Sequence, residues 1–258
     1  MKDSCEKQLT EFREKLSTQN RTKNLNLDDK LLLRFLRSRD GDVSESMSTL
    51  LAYIDIIDKR SDLFSWSEDI KKVVNSGVYV QYPERTSDGC VVSLVTPSKW
   101  NPSDYSYSIY IKLVIFMIEM SLLDEEVQKN GFIVVIDMSG IRWTHIYHTG
   151  VSDAKLFSDL TERILPRKLV SLHFVNANKL QDAGLMLFRP FMTSSTKKIM
   201  HFHGKDYSTL HSFVSPNLLP ESLGGSAKDY PTSMYNQLLE KHKEEVMQIW
   251  DQFRKIKN

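Results

Sequence analysis

Apolar and polar positions follow different rhythms along this chain, and the changes of rhythm divide it. From Asp28 to about Ile57 the spacing is helical, with Leu32, Phe35 and Leu36 on an inward face while Arg34, Arg37 and Arg39 point elsewhere. Asp28 or Asp29 can cap the first of these helices, Gly41 stops it, and Asp42 caps the next, Val43 to about Ile57. The first ~60 residues read as all-helical, and so short a unit buries too little surface by itself, so it should dock on the rest of the chain. From about Val73 the period shortens. Val78-Tyr79-Val80 reads as a strand, and so does Val91 to Val95, bounded by Gly89 and Pro97. A long helix over about Tyr105–Lys129, closed by Asn130-Gly131, leads to Phe132–Ile136, an unbroken apolar run. A run apolar on both faces is what a central parallel strand presents. A helix over about Gly150–Arg163, a second such strand at Leu169–Val175 and a third at Lys198–His203 come next. Strand, helix, strand, helix, strand is the pattern of an α/β domain with a mostly parallel sheet and crossover helices. The tail, Met234 to Ile256, is a charged amphipathic helix. The expected division is therefore a helical subdomain over 1–72, an α/β domain over 73–230 and a helical tail over 231–258.

One segment stands apart. In Lys179–Met192, KLQDAGLMLFRPFM, Leu180, Ala183, Leu187, Phe188 and Phe191 fall on one helical face. Leu185, Met186 and Met192 fall elsewhere on it, where an ordinary surface helix carries charge. Gly184 in the middle and Pro190 near the end are weak points in such a helix. Two arrangements satisfy the pattern: a pocket on one side and a membrane on the other, or a core on both.

Composition adds three constraints. A chain of 258 residues with 41% hydrophobic and 26% charged residues has the makeup of an ordinary soluble protein. Its charged start, MKDSCEKQLTEFREKL, lacks the apolar core of a secretory signal, and two cysteines suggest a reducing, cytoplasmic setting. The most apolar stretch, Tyr105 to Leu123, is interrupted by Lys112 and Glu119, so it reads as a buried helix rather than a span of ~20 residues. Charge is uneven: Arg163 to Lys205 holds eight basic residues and one acidic residue, Asp182, in a chain of net charge +1. Basic residues bracketing an apolar helix suit a transient contact with an anionic membrane surface. No aromatic-interleaved basic strand points to nucleic acid.

Catalytic patterns are weak. His201 and His203 would share one face of a strand, but no HExxH, CxxC or GxSxG accompanies them, and no glycine-rich phosphate loop is present. Asp137 ends the central strand, where α/β enzymes often keep a functional carboxylate. A hydrolase using Asp137 or a histidine is the competing class; no enzyme activity, metal or cofactor is expected.

The motifs, taken together, resemble a known family. Asp29 to Arg39, DKLLLRFLRSR, resembles the N-terminal helical subdomain of CRAL-TRIO (Sec14-like) proteins. GFIVVIDMSG, Leu165-Pro166-Arg167-Lys168 and Leu172-His173-Phe174-Val175-Asn176 are similar to that family's central strands. Arg189 to Met192, Ile199 to Gly204 and Leu219 to Gly225 come in the family's order, so the resemblance runs from about Asp28 to Tyr230. Within the family it is strongest toward the branch that carries tocopherol and retinaldehyde. The resemblance implies a helical subdomain packed on an α/β domain whose sheet floors an apolar cavity. A mobile gate helix falling on Lys179–Met192 would cover it, with Gly184 and Pro190 as its hinge. By family position, Ile111, Val114, Ile118, Phe132, Val134, Ile136, Phe157, Leu160, Leu165, Leu172, Leu187, Phe188 and Phe191 should line the cavity. Arg39, Arg167, Lys168, Lys197 and Lys198 would form a membrane or phosphoinositide patch, although the matching positions Ser48, Val170, Ser195 and Ile199 are not basic. Val114 and Ile118 are apolar where tocopherol-type carriers place hydroxyls, which implies a greasier ligand or another polar anchor. The expected function is a monomeric carrier of one small hydrophobic molecule (tocopherol-, retinoid- or carotenoid-like) that exchanges it with membranes. A phosphatidylinositol or phosphoinositide exchanger is the alternative.

Overall fold

The computed structural model describes residues 2–23, 25, 27–177 and 185–254. Helices α1 (Lys2–Thr18), α2 (Asp29–Ser38) and α3 (Val43–Lys59) open the chain. The caps fall where the sequence puts them. Asp28 accepts the Leu31 N–H at 2.8 Å, and Asp42 accepts the Glu45 N–H at 2.8 Å. One charge departs from expectation: Arg34 faces inward, 4% exposed, and pairs with the fully buried Glu119. A carboxylate 85 residues away in sequence makes that burial tolerable.

Helix α4 (Ile70–Ser76) occupies the stretch where the sequence shows the period beginning to change, and strand β1 (Tyr79–Arg85) comes after it. With β2 (Val91–Val95), β3 (Phe132–Asp137), β4 (Leu169–Val175) and β5 (Met200–Phe202) it forms a sheet in order β1-β2-β3-β4-β5. Only β1 runs antiparallel to its neighbour. The expected long helix is two: α5 (Tyr107–Ser121) and α6 (Glu125–Asn130). Asp124 divides them by accepting the Glu126 N–H at 2.8 Å as the cap of α6. Gly131, at φ +85°, then turns the chain into β3 where a Cβ would stand 2.5 Å from the Lys168 carbonyl oxygen. The expected helix over 150–163 is α8 (Val151–Asp159) continued by a π-helical stretch Leu160–Ile164, and a further helix that the sequence did not mark, α7 (Trp143–Thr149), precedes it.

Successive parallel strands lie side by side, so right-handed crossovers place α5 to α8 on one face of the sheet. Period-two alternation then sorts the strand residues. Phe132, Val134 and Ile136 turn toward the helices, while Ile133 and Val135 turn to the other face, against Leu210, Val214, Leu218, Leu219 and Leu223. The terminal helix Thr232–Arg254 packs on α3, α4 and α5. Its Trp250 meets Phe64 and Phe116 edge-on at 5.7 and 6.0 Å, and Phe253 meets Tyr53 at 5.0 Å. One apolar cluster therefore runs from Phe12 through α5 to Phe253 and ties both ends of the chain to the back of α5. Among the described residues, no helix is long and apolar enough to cross a membrane.

Candidate functional site

The front of α5 borders a hollow. Tyr107, Tyr110, Val114 and Ile118 recur along one side of that helix and form the wall of a cavity of about 200 Å³. Val95, Phe132, Val134, Ile136, Leu172 and Phe174, alternate residues of the sheet, make the floor. Phe157 and Thr161 close one side, and Leu185, Leu187, Phe188 and Met192 form the roof. Rings link the elements: Tyr110 stacks on Phe157 at 5.9 Å, and Phe157 meets Phe188 edge-on at 6.2 Å. The space is more than ten times the ~10–15 Å³ that one water requires, and its lining is overwhelmingly apolar.

Of the residues singled out in the sequence, Val114, Ile118, Phe132, Val134, Ile136, Phe157, Leu172, Leu187 and Phe188 border this space. Ile111, Leu160, Leu165 and Phe191 do not. Ile111 lies one residue beyond Tyr110, about 100° around the helix, and packs in the core instead. Leu160 and Leu165 are pulled into the same core by the π-helical stretch, closed by the Leu165 N–H bonding the Leu160 carbonyl at 2.9 Å. Phe191 comes after the helical turn at 185–188, in a bend closed by its own N–H on the Phe188 carbonyl at 2.9 Å. Pro190 is exposed in that bend, and Gly184 lies outside the described residues. Met186, 67% exposed, faces away from the cavity that its three neighbours cover.

The basic residues scatter more than the sequence suggests. Lys197 and Lys198 are exposed on the short helix Ser194–Lys198 beside the roof. Lys168 pairs with Asp40 at 2.6 Å. Arg39 is half-buried, its Nε donating to Thr49 at 2.9 Å and its Nη2 to the Arg163 carbonyl at 3.1 Å; it fastens α2 to the π-helical stretch, and burial lowers its pKa. Arg167 leaves the surface patch altogether: it is buried and lines the cavity, because its Nε donates to the Thr161 carbonyl at 2.9 Å. Sequence reasoning also missed Tyr79, Tyr107 and Tyr110. The two on α5 were legible as the N-terminal continuation of the Val114–Ile118 face. Burial raises the pKa of all three phenols, and Tyr79 lies 3.0 Å from the Ser93 hydroxyl.

An apolar cavity between a mostly parallel sheet and crossover helices is the architecture of an internal lipid-binding domain. The chain belongs to the CRAL/TRIO domain family, whose model it matches over residues 75–225; the family binds and transfers lipids. It is 29% identical over 215 residues to the α-tocopherol transfer protein-like protein of Mus musculus, covering 83% of this chain and 63% of that one. It is 28% identical over 210 residues to clavesin-1 of Rattus norvegicus, covering 80% and 59%. The chain thus spans about three fifths of the length of these relatives. Among solved structures, that of Sfh5 superposes with a TM-score of 0.59 at 15% identity over 94% of this chain and 98% of its own, a likeness of fold.

His173, His201 and His203 lie behind the sheet, away from the cavity, whereas His145 borders it. His201 and His203 share a face, as the strand spacing implies, and both stack against His173, at 5.0 and 5.2 Å. His173 is fully buried, with Nδ1 3.0 Å from His203 Nε2 and Nε2 2.8 Å from the Ser171 hydroxyl. Among the described residues, no group of three or more His, Cys, Asp or Glu is placed to hold a metal. Burial, then the neighbouring imidazoles, push His173 down to about 3, so the fold favours its neutral form. Stability from this group is complete above the unfolded-state value of ~6.5 and is lost as pH falls toward the folded-state value. Between pH ~6.5 and ~5, the unfolding free energy of the natural protein should drop by about 2 kcal/mol more than that of His173→Gln. Urea titrations at the two pH values measure the difference, and parallel losses would refute it.

Proposed function

We propose that this protein carries one small hydrophobic molecule, tocopherol-, retinoid- or carotenoid-like, in the cavity and exchanges it with membranes. The observation that carries this reading is the apolar cavity between α5 and the sheet. The tocopherol-transfer name of a relative supports the ligand class. A guest with ~400 Å² of apolar surface gains roughly 10 kcal/mol on leaving water but almost nothing on leaving a bilayer for an equally apolar chamber. Transfer is then a near-balanced exchange, limited by uncovering the cavity. The roof residues Leu185, Leu187 and Phe188 cover the guest, and the bend at Pro190 is the place for that cover to swing. Opening in water exposes these side chains, whereas opening against acyl chains does not, so the cover stays shut in solution and opens at a membrane. The protein accordingly works in the cytoplasm as a monomer, with transient visits to membranes.

Native mass spectrometry with lipid extraction tests the reading. One small lipid per chain is expected. A recovered glycerophospholipid would favour a phospholipid exchanger, and failure to acquire any lipid from vesicles would defeat both. Lys197 and Lys198 stand beside the roof, where each contributes about 1 kcal/mol near an anionic surface. Replacing both by alanine should weaken capture by phosphatidylserine-containing vesicles roughly 30-fold at low salt, and less at high salt. Equal capture by the two proteins in a sedimentation assay would remove these lysines from the contact.

A further inference from the structure

The cavity wall carries a cation that the carrier reading leaves unexplained. Arg167 is 91% buried, since only 9% of it is exposed. Its Nε is engaged by the Thr161 carbonyl, but among the described residues its two terminal amino groups have no hydrogen-bond acceptor and no carboxylate within ion-pair distance. Glu162 borders the same space, yet its Oε2 is already taken by the Thr193 N–H at 2.7 Å and the Thr196 hydroxyl at 2.8 Å. Arg39 adds a second positive charge from behind, one of its Nη atoms donating to the Arg167 carbonyl at 3.5 Å. Burial lowers Arg167 to about 10, which leaves it protonated at neutral pH. Glu162 acts on Arg167 only through space and makes no ion pair with it, and a buried cation without a paired anion is strongly unfavourable unless something else supplies one. Around it, Tyr79 and Tyr110 lie close enough to feel its charge, and Tyr110 lines the cavity. The polar end of the chamber therefore offers a guanidinium fork and a phenol, while the rest offers hydrocarbon.

We infer that the guest is an amphiphile with a carboxylate head, which pairs with the terminal amino groups of Arg167 while its chain lies on the Val134–Ile136–Phe174 floor. The inference rests on the carrier reading and narrows it to acids rather than neutral lipids. A carboxylate fits better than a phosphate monoester. One negative charge balances Arg167, whereas a phosphate near −2 leaves charge over beside Glu162.

The test uses the full chain, stripped of lipid, and three probes of one hydrocarbon length: oleate, oleyl alcohol and oleyl phosphate. Trp100 alone of the four tryptophans lines the cavity, so the fluorescence change that Trp100→Phe abolishes reports binding there. Oleate should bind roughly 30-fold tighter than the alcohol at pH 7.5. In Arg167→Met that preference should collapse to about threefold, with the alcohol bound as before and Arg167→Lys intermediate. Equal binding of oleate and alcohol by the natural protein overturns the inference without needing any variant. So does a parallel loss of both probes in Arg167→Met, which marks a structural role. Tighter binding of oleyl phosphate than of oleate overturns the carboxylate assignment. Binding of none of the three defeats the carrier reading itself, a result distinct from loss of preference.

Discussion

Glu119→Ala should lower the free energy of unfolding by about 3–5 kcal/mol, the largest loss expected from any single side chain on α5. Glu119 is fully buried, and both its oxygens are engaged: Oε1 accepts the Tyr53 hydroxyl at 2.7 Å, and Oε2 accepts from Arg34. Alanine would strand a buried guanidinium whose Nε already lacks a partner, together with a buried phenol. The penalty arises from the groups left behind, so the pair can be removed whole. Arg34→Met combined with Glu119→Leu should recover most of the loss, because a well-packed apolar pair often equals a buried ion pair. Urea titration of the two single variants and the double variant measures this. A Glu119→Ala cost under ~1 kcal/mol would show that the site admits water and that the ion pair does not hold α5 to α2 and α3. The clamp matters for function because Tyr110, Val114 and Ile118, on the opposite side of the same helix, form the cavity wall. Loosening the back of α5 should therefore also loosen the chamber.

How much of the molecule was legible in the sequence depends on where each residue finds its partners. Strands β2, β3 and β4 were legible because a central parallel strand must be apolar on both faces, and a run such as Phe132–Ile136 has few other uses. Asp28 and Asp42 were legible as caps because their partners lie three residues on. The division of the long helix at Asp124 was written in the same kind of residue, but the surrounding apolar periodicity masked it. Arg34 and Arg167 were misplaced on the surface for a deeper reason. Whether an arginine is buried depends on what meets it in space, and neither Glu119 nor the closed end of a chamber is visible near it in the chain. Ile111, Leu160 and Leu165 show the converse limit: apolar residues on the right elements end up in the core when the helix rotates them about 100° or a π turn redirects them. Periodicity finds the element, and only packing decides which apolar face surrounds empty space.

That empty space is what a second experiment should remove. Val114→Phe with Val134→Phe places one ring on the wall and one on the floor, both directed into the ~200 Å³ chamber. Neither backbone position is strained by the change, since one lies within α5 and the other within β3, paired with Ser93 and Leu172. In a solid core such enlargement costs about 1–3 kcal/mol of overpacking strain. Here the rings enter a void, so the melting temperature should stay the same or rise. The strain appears only when a guest must share the space. Uptake of a fluorescent hydrophobic probe from vesicles should then fall by roughly 5–150-fold, that same 1–3 kcal/mol expressed as affinity. The two readouts separate the alternatives. A double variant that melts several degrees lower means the residues face packed core and the chamber is not a working space. A stable variant that takes up probe as well as the natural protein means the guest binds elsewhere. Only retained stability with lost uptake is consistent with a chamber whose vacancy is its function.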